Sequence, residues 1–473
     1  MNHEKSIKAL CNRSSASKRS SGPQPGKALE AKMRLIGRTF LGVAAIIALA
    51  GNATALHAAS LKTLHQFPTS GAYRPYAALV QDPASGNVYG TTFFGSAPDG
   101  FCTRQKPDGC GNVFEMTPPA PGETKWGYKE IYSFSGPPND GGGPVGALIF
   151  DNDGNLYGVT QHGGDSTACD TSGSEGCGTV YELSPPLPGK TKWKERILYS
   201  FSNGTDGAVP DAGLVFDGAG NLFGTTVLAA GGTVTPSGTV FELLTPQRGS
   251  SWRLKALHQF CLNGQADCRD GSSPMGKLVF DSVGNLYGTT NGGGATGTGG
   301  GSVFELSPPA PGKKKWKEKL LYSFAFGGDY GDLPVSGLTF INGTLYGTTS
   351  DNGGDQSGIV FGLVPGDAQP TQICAFPSPA QPETPSGLAF DGDRLLYGTT
   401  SSGGTAGYGS VFSCNDKNGS LQTLHSFDGS DGYLPVDGVI FDVLSGNLLG
   451  TTAFGGAAFA QSGPGTVFEQ PLN

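Results

Sequence analysis

One short motif, repeated seven times, limits what this chain can become. Its clearest copy reads Leu278-Val-Phe-Asp-Ser-Val-Gly-Asn-Leu-Tyr-Gly-Thr-Thr290. Two runs of branched and aromatic residues flank a turn of Asp, Gly and Asn. The former suit a pleated, half-buried surface and the latter tolerate a tight backbone, so each copy predicts a β-hairpin. The second strand sets the register: Tyr89-Gly-Thr-Thr, Tyr157-Gly-Val-Thr, Phe223-Gly-Thr-Thr, Tyr287-Gly-Thr-Thr, Tyr346-Gly-Thr-Thr, Tyr397-Gly-Thr-Thr and Leu449-Gly-Thr-Thr. Successive copies are 68, 66, 64, 59, 51 and 52 residues apart.

Each copy carries two more short strands. One is of the type Gly238-Thr-Val-Phe-Glu-Leu243, after the Gly-Thr-Thr, and the other of the type Leu198-Tyr-Ser-Phe201, before the hairpin. Four strands per repeat and no helical period predict an all-β fold, a seven-bladed β-propeller of four-stranded antiparallel blades. A β-solenoid uses shorter repeats. Separate domains of this size would each need a core that a lone four-stranded sheet buries poorly, whereas sheets stacked in a ring cover one another.

The hairpin resembles that of propellers of the NHL type, whose inner strand precedes the Asp-x-x-Gly-Asn turn. On that resemblance Leu214–Asp217 is strand A, Asn221–Thr226 strand B, Gly238–Leu243 strand C and Leu254–Phe260 strand D. The propeller region then begins with a D-type strand, Leu61–Phe67, and ends with a C-type strand, Gly465–Gln470. Pairing of the two would close the ring and remove both open edges. Loops A–B and C–D share one face of such a ring, and loops B–C and D–A the other.

Residues 1–60 lie outside the repeats and read as a signal peptide with an N-terminal extension. A basic stretch leads into Phe40–Ala50, which has the length of a signal h-region, and Ala53-Thr-Ala55 supplies a cleavage site. Met33 is the expected start of the leader. Residues 61–473 form the propeller, with no later segment apolar enough to span a membrane. The expected address is outside the inner membrane: periplasm, cell surface or medium. Net charge is −8, which argues against nucleic acid as a partner. The expected partner is an extracellular glycan or protein, met by a monomer.

Eight cysteines follow the leader, an even number that reads as disulfides in an exported chain. Three close pairs are expected, Cys102–Cys110, Cys169–Cys177 and Cys261–Cys268, with Cys374–Cys414 joining strands at different repeat positions. No Cys-x-x-Cys occurs and no His neighbours the close pairs, so no metal site is expected there.

The A–B/C–D face carries turns such as Pro185–Trp193 and Pro308–Trp316, read as solvated hairpins whose Trp covers the blade edge. The B–C/D–A face is richer. It holds Gly163-Gly164, Gly231-Gly232, Gly292–Gly294, Gly353-Gly354, Gly403-Gly404 and Gly455-Gly456, together with Asp140, Asp206, Asp270 and Asp431, each before Gly. Stapled loops on a rigid scaffold are where binding usually resides, so these four Asp mark the candidate binding face. The same residues also suit tight turns, and repetition in several blades favours that role. Calcium is a weak second reading, because carboxylates and carbonyls converge. Asp151-Asn-Asp-Gly-Asn155 looks calcium-like, but its Gly is misplaced for such a loop and the hairpin explains it better.

His65, His258 and His425 alternate in the D strand with Tyr132, Tyr199 and Tyr322, which reads as packing. No His-x-x-x-His or Gly-x-Ser-x-Gly appears, so zinc hydrolysis and Ser-His-Asp catalysis lack support and no catalytic residue is named. Carboxylates from different blades meeting at the channel mouth would be the remaining route to catalysis, of the glycosidase kind.

The pattern Gly-Leu-x-Phe-Asp-x-x-Gly-Asn-Leu-Tyr-Gly-Thr-Thr, then Gly-Gly, then Gly-Thr-Val-Phe-Glu-Leu resembles the GloVer tandem-repeat proteins, exported bacterial proteins described as choice-of-anchor. It covers residues 61–473, departing most at Asn87-Val-Tyr89 and Asn447-Leu-Leu449. The resemblance implies a sorting anchor in many members and brings no catalytic residues. Here the chain stops at Asn473, just after its last strand, which does not favour surface attachment. The expected function is that of a secreted ligand- or partner-binding propeller without cofactor. A carbohydrate-active hydrolase or lyase and a structural envelope protein are the alternatives.

Overall fold

The computed structural model describes residues 60–472 apart from 70–72, 96–108, 167, 170–175, 229–236, 248–249, 263–267, 296–298, 351–356, 377–383 and 457–462. Residues 1–59, which hold the expected leader, and Cys102, Gly231-Gly232 and Gly353-Gly354 lie outside the described residues.

The chain builds seven four-stranded antiparallel sheets in a ring. Blade 3 shows the plan. Val215–Phe216 (strand A), Leu222–Thr226 (B), Thr239–Leu244 (C) and Arg253–Gln259 (D) lie side by side in chain order. Blade 7 is composite: Ile440–Phe441, Leu448–Thr452 and Thr466–Gln470 are completed by the N-terminal strand Lys62–Gln66. Lys62 stands opposite Glu469 and His65 opposite Val467, so the ring closes as the repeat phase predicts. No helix among the described residues is long and apolar enough to cross a membrane.

The Gly-Thr-Thr motif has a separate task for each residue. A Cβ on Gly224 would stand 2.6 Å from the Phe241 ring tip and 2.9 Å from Leu214, so only glycine lets strand C's aromatic ring cross strand B. The second Thr bonds within the blade: the Thr226 and Thr239 hydroxyls are 2.7 Å apart, those of Thr452 and Thr466 2.8 Å. In blades 4, 6 and 7 the first Thr bonds to the next blade. Thr289 Oγ1 donates to the Ser336 carbonyl at 3.0 Å, Thr399 to Asp437 at 2.7 Å and Thr451 to Ala77 at 3.2 Å.

The Asp-x-x-Gly-Asn turn is held by its own first residue. Asp217 accepts the Ala219 N–H, the Asn221 N–H and Asn221 Nδ2, each at 2.8 Å. Asp151 in the calcium-like copy does the same with Asp153, Asn155 and Tyr157, so its oxygens serve the turn.

Buried apolar side chains gather between blades. The described core forms seven clusters, one for each pair of neighbours. Trp316 of blade 4 packs edge-on against Phe223 of blade 3 at 5.9 Å, and Trp193 likewise against Tyr89. These Trp fill an inter-blade space rather than cap an edge. Burying such area drives blade-on-blade association and explains why single sheets need their neighbours.

Cys169–Cys177 and Cys261–Cys268 staple loops on the B–C/D–A face. Cys374–Cys414 joins the D strand of blade 5 to the C strand of blade 6, with Cα atoms 6.2 Å apart. Cys110 is also disulfide-bonded, while Cys102, its expected partner, lies outside the described residues.

Candidate functional site

The four loop aspartates brace their own loops. Asp140 accepts the Ser135 N–H at 2.7 Å, the Tyr132 hydroxyl at 3.0 Å and the Gly141 N–H at 2.7 Å. Asp206 repeats this with Ser202, Tyr199 and Gly204. Asp270 meets His258 Nε2 at 3.1 Å, and Asp431 meets His425 Nε2 at 2.6 Å. At Tyr132, Tyr199, His258 and His425 the D-strand position is thus more than packing: its ring packs and its tip holds the loop. The shared property is a hydrogen-bonding tip on an aromatic ring, a signal present in the sequence beside the loop Asp.

The loops are further locked by the residue before each loop proline. Arg74, Val209, Ser273, Leu333 and Leu434 all have φ between 51° and 58°. This left-handed backbone is strained for a branched residue such as Val209. Two backbone bonds hold it: the Val209 N–H donates to Cys177 at 2.9 Å and its carbonyl accepts from Val227 at 3.0 Å. Arg74 and Leu434 are tied in the same way. The described residues of the D–A loops are thus tied down by both backbone and side-chain bonds.

Within the rim opens the central channel, a cavity of about 1370 Å³ lined by the A strands. Tyr76, Asp211 and Gln161 line it towards the D–A loops together with Phe93, Met275, Val335 and Val436, while Gln81, Val80, Ile149, Val215, Val279 and Ile440 line it towards the A–B turns.

One position in the channel wall breaks the repeat. The residue before the strand-A Leu or Val is Ala78, Ala147, Gly213, Gly337, Gly387 or Gly438 in six blades, and Lys277 in blade 4. Its ammonium has no hydrogen-bond or ion-pair partner among the described residues. Lys277 is exposed to the channel space, with protein on every side of it. Burial lowers its pKa, opposed by the charge of Asp437. A Cβ on Gly337 would lie 2.9 Å from Lys277 Cβ, so the small neighbour makes room for the long side chain.

Asp437 lines the same wall from blade 7. It accepts the Gly438 N–H at 2.8 Å and, across the closure, the Ala78 N–H at 2.8 Å. Burial raises its pKa, and those two donors and Lys277 work against the rise. Asp211 of blade 3 accepts from Gln161 Nε2, and burial raises its pKa also. The two channel carboxylates therefore keep separate partners on separate blades. Among the described residues no group of three or more His, Cys, Asp or Glu is placed to hold a metal ion.

No curated protein matches the chain. Among solved structures, the extracellular domain assigned to a one-component system of B. thetaiotaomicron superposes with a TM-score of 0.50 at 10% identity, over 88% of this chain and 40% of that one. This chain thus spans less than half that structure's length. A periplasmic gluconolactonase from Pseudomonas aeruginosa (TM-score 0.45, 15% identity, 74% of this chain, 85% of that one) and a protein of unknown function from Dyadobacter fermentans (0.41, 12%, 87% and 98%) are similar as well. At such identities the likeness concerns the fold alone. The sequence itself matches the Gloeobacter/Verrucomicrobia repeat over residues 100–361 and 336–473. That is most of the chain, its hairpins are the repeat units just described, and the protein belongs to the Gloeobacter/Verrucomicrobia repeat family.

Proposed function

We propose that this protein is an exported ligand-binding propeller. Its ligand carries an anionic group that enters the channel from the B–C/D–A face and meets Lys277. The carrying observation is that ammonium, standing where six blades have Gly or Ala and with no hydrogen-bond or ion-pair partner among the described residues. The Lys277 ammonium is accessible from the channel but has protein on every side, and the lower local dielectric there strengthens its attraction for an anion. Asp140, Asp206, Asp270 and Asp431 support the site by holding the rim in shape. Two carboxylates sharing one reacting bond would favour hydrolysis; Asp211 and Asp437 instead serve different partners. The three described disulfides favour an oxidising compartment.

Thermal shift against small sugar acids, sugar phosphates and dicarboxylates tests this reading. A ligand present at about 100 times its Kd stabilises by about 2.7 kcal/mol. At least one such anion should raise the melting temperature of wild type and of Lys277→Arg, and fail to do so for Lys277→Met. An equal response from Lys277→Met would place the ligand elsewhere.

A further inference from the structure

The rim carries a second departure from the repeat. After Gly-Thr-Thr the chain crosses the rim with Phe93-Phe94 in blade 1 and Ala453-Phe454 in blade 7, against Val227-Leu228 and Asn291-Gly292 in blades 3 and 4. The D–A residues bridged to them are Tyr73, opposite Phe94, and Tyr433, opposite Phe454, where blades 3 and 4 use Ala208 and Ser272. Blades fold without these rings, so blade structure does not account for them.

Arg74 sits among them. Its guanidinium carbon lies 4.8 Å from the Phe454 ring centroid, 5.1 Å from Phe94 and 5.8 Å from Tyr73. The aromatic contacts run on to the channel: Phe94 to Phe93 at 4.8 Å and Phe93 to Tyr76 at 5.6 Å, the last two lining the cavity. All these side chains are half-buried. The guanidinium N–H groups have no acceptor among the described residues.

Three rings thus hold a planar cation whose N–H donors have no acceptor among the described residues. A guanidinium offers a fork that fits a carboxylate with two parallel bonds, and fixing it beforehand lowers the entropy lost on binding. The negative faces of half-exposed rings attract weakly positive C–H bonds. A uronic acid joins both complements, a C–H-rich ring and a carboxylate, in one unit.

We propose that Arg74 with Tyr73, Phe94 and Phe454 forms a uronate-binding subsite on the rim. It rests on the channel reading above for its second anchor: one sugar unit lies on the rim, and a later unit brings its carboxylate to Lys277. The ligand is then an acidic oligosaccharide.

Isothermal titration calorimetry on the full disulfide-bonded protein tests this, with trigalacturonate as probe, galacturonate as its single unit and maltotriose as neutral control. Trigalacturonate should bind more tightly than galacturonate, and maltotriose should bind about tenfold more weakly or not at all. Arg74→Lys keeps charge and ring contact but loses the fork. It should weaken trigalacturonate by about tenfold or more with an unchanged melting temperature. Equal affinity of Arg74→Lys and wild type, or no trigalacturonate binding, overturns the rim subsite. If Arg74→Lys does not fold, Phe94→Leu takes its place, and unchanged affinity there has the same meaning. Binding that depends on Lys277 but not Arg74 leaves the channel reading standing and removes this one; the reverse removes the channel anchor alone.

Discussion

The imidazole of His65 lies flat on the phenol ring of Tyr128, with centroids 3.8 Å apart and planes 6° from parallel. His65 belongs to the closing strand of blade 7 and Tyr128 to the outer strand of blade 1, Gly127–Ser133. The loop that follows His65 has no Asp, unlike the loops after His258 and His425. Its Nε2 is buried without a hydrogen-bond partner, and burial lowers its pKa from 6.5 to about 4.

Acid should therefore loosen the closure. The unfolded chain binds this proton more readily than the folded one. The stability involved is complete above the ordinary value of 6.5 and is lost as pH falls toward about 4. His65→Phe keeps the stack without the titration. Melting curves between neutral pH and pH of about 4 should fall less steeply for His65→Phe than for wild type; parallel curves would contradict the assignment.

Glu195 should act in the opposite sense. Its Oε1 is buried without a partner, and burial, then the charge of Asp140, raises its pKa to about 7. A raised carboxyl contributes its stability below the ordinary value of 4.5 and loses it as pH rises through about 7. Glu195→Gln removes that loss. After a discount for solvent screening, it should stabilise by about 1 kcal/mol at alkaline pH and give no gain at pH of about 5, as read by urea denaturation.

Gly224→Ala should destabilise by about 1–3 kcal/mol, because the new methyl meets the Phe241 ring that packs across it. Adding Phe241→Leu in the same chain should recover part of the loss, since the clash is with the ring itself. Chemical denaturation of the single and double variants checks both statements.

The disulfides should differ in weight. Cys374–Cys414 spans 40 residues and Cys261–Cys268 spans 7. By loop entropy these are worth about 4 and about 2.5 kcal/mol. The paired Ala substitution at Cys374 and Cys414 should cost more in unfolding free energy than the same change at Cys261 and Cys268. A reversed order would mean that native packing, rather than the unfolded chain, dominates.

Blade number, strand order and closure are legible in the sequence because they depend on period-two patterning and on Gly, Asn and Asp at tight turns, all local properties. Lys277 is harder to see. It precedes the short ladder strand Val279–Phe280, where no alternation marks it. It emerges only when the seven copies are aligned and one long charged side chain appears among Gly and Ala. Asp140 and its counterparts draw the eye because they recur, and recurrence marks what each blade needs to fold. Arg74, Phe94 and Phe454 are further from reach, since their meeting depends on blades 1 and 7 becoming neighbours.

Lys62 and Glu469, bonded at 3.3 Å, are 407 residues apart along the chain. An incomplete polypeptide, whatever its length, is an arc with two bare flanks. Six blades can form as they emerge, but the seventh waits for material from both extremities. Such long-range contacts form slowly, so the pairing of Lys62–Gln66 with Thr466–Gln470 is expected late in folding. Truncated products are thereby left open at an unpaired edge, where proteases and aggregation can reach them, and the circle itself serves as the test of completeness.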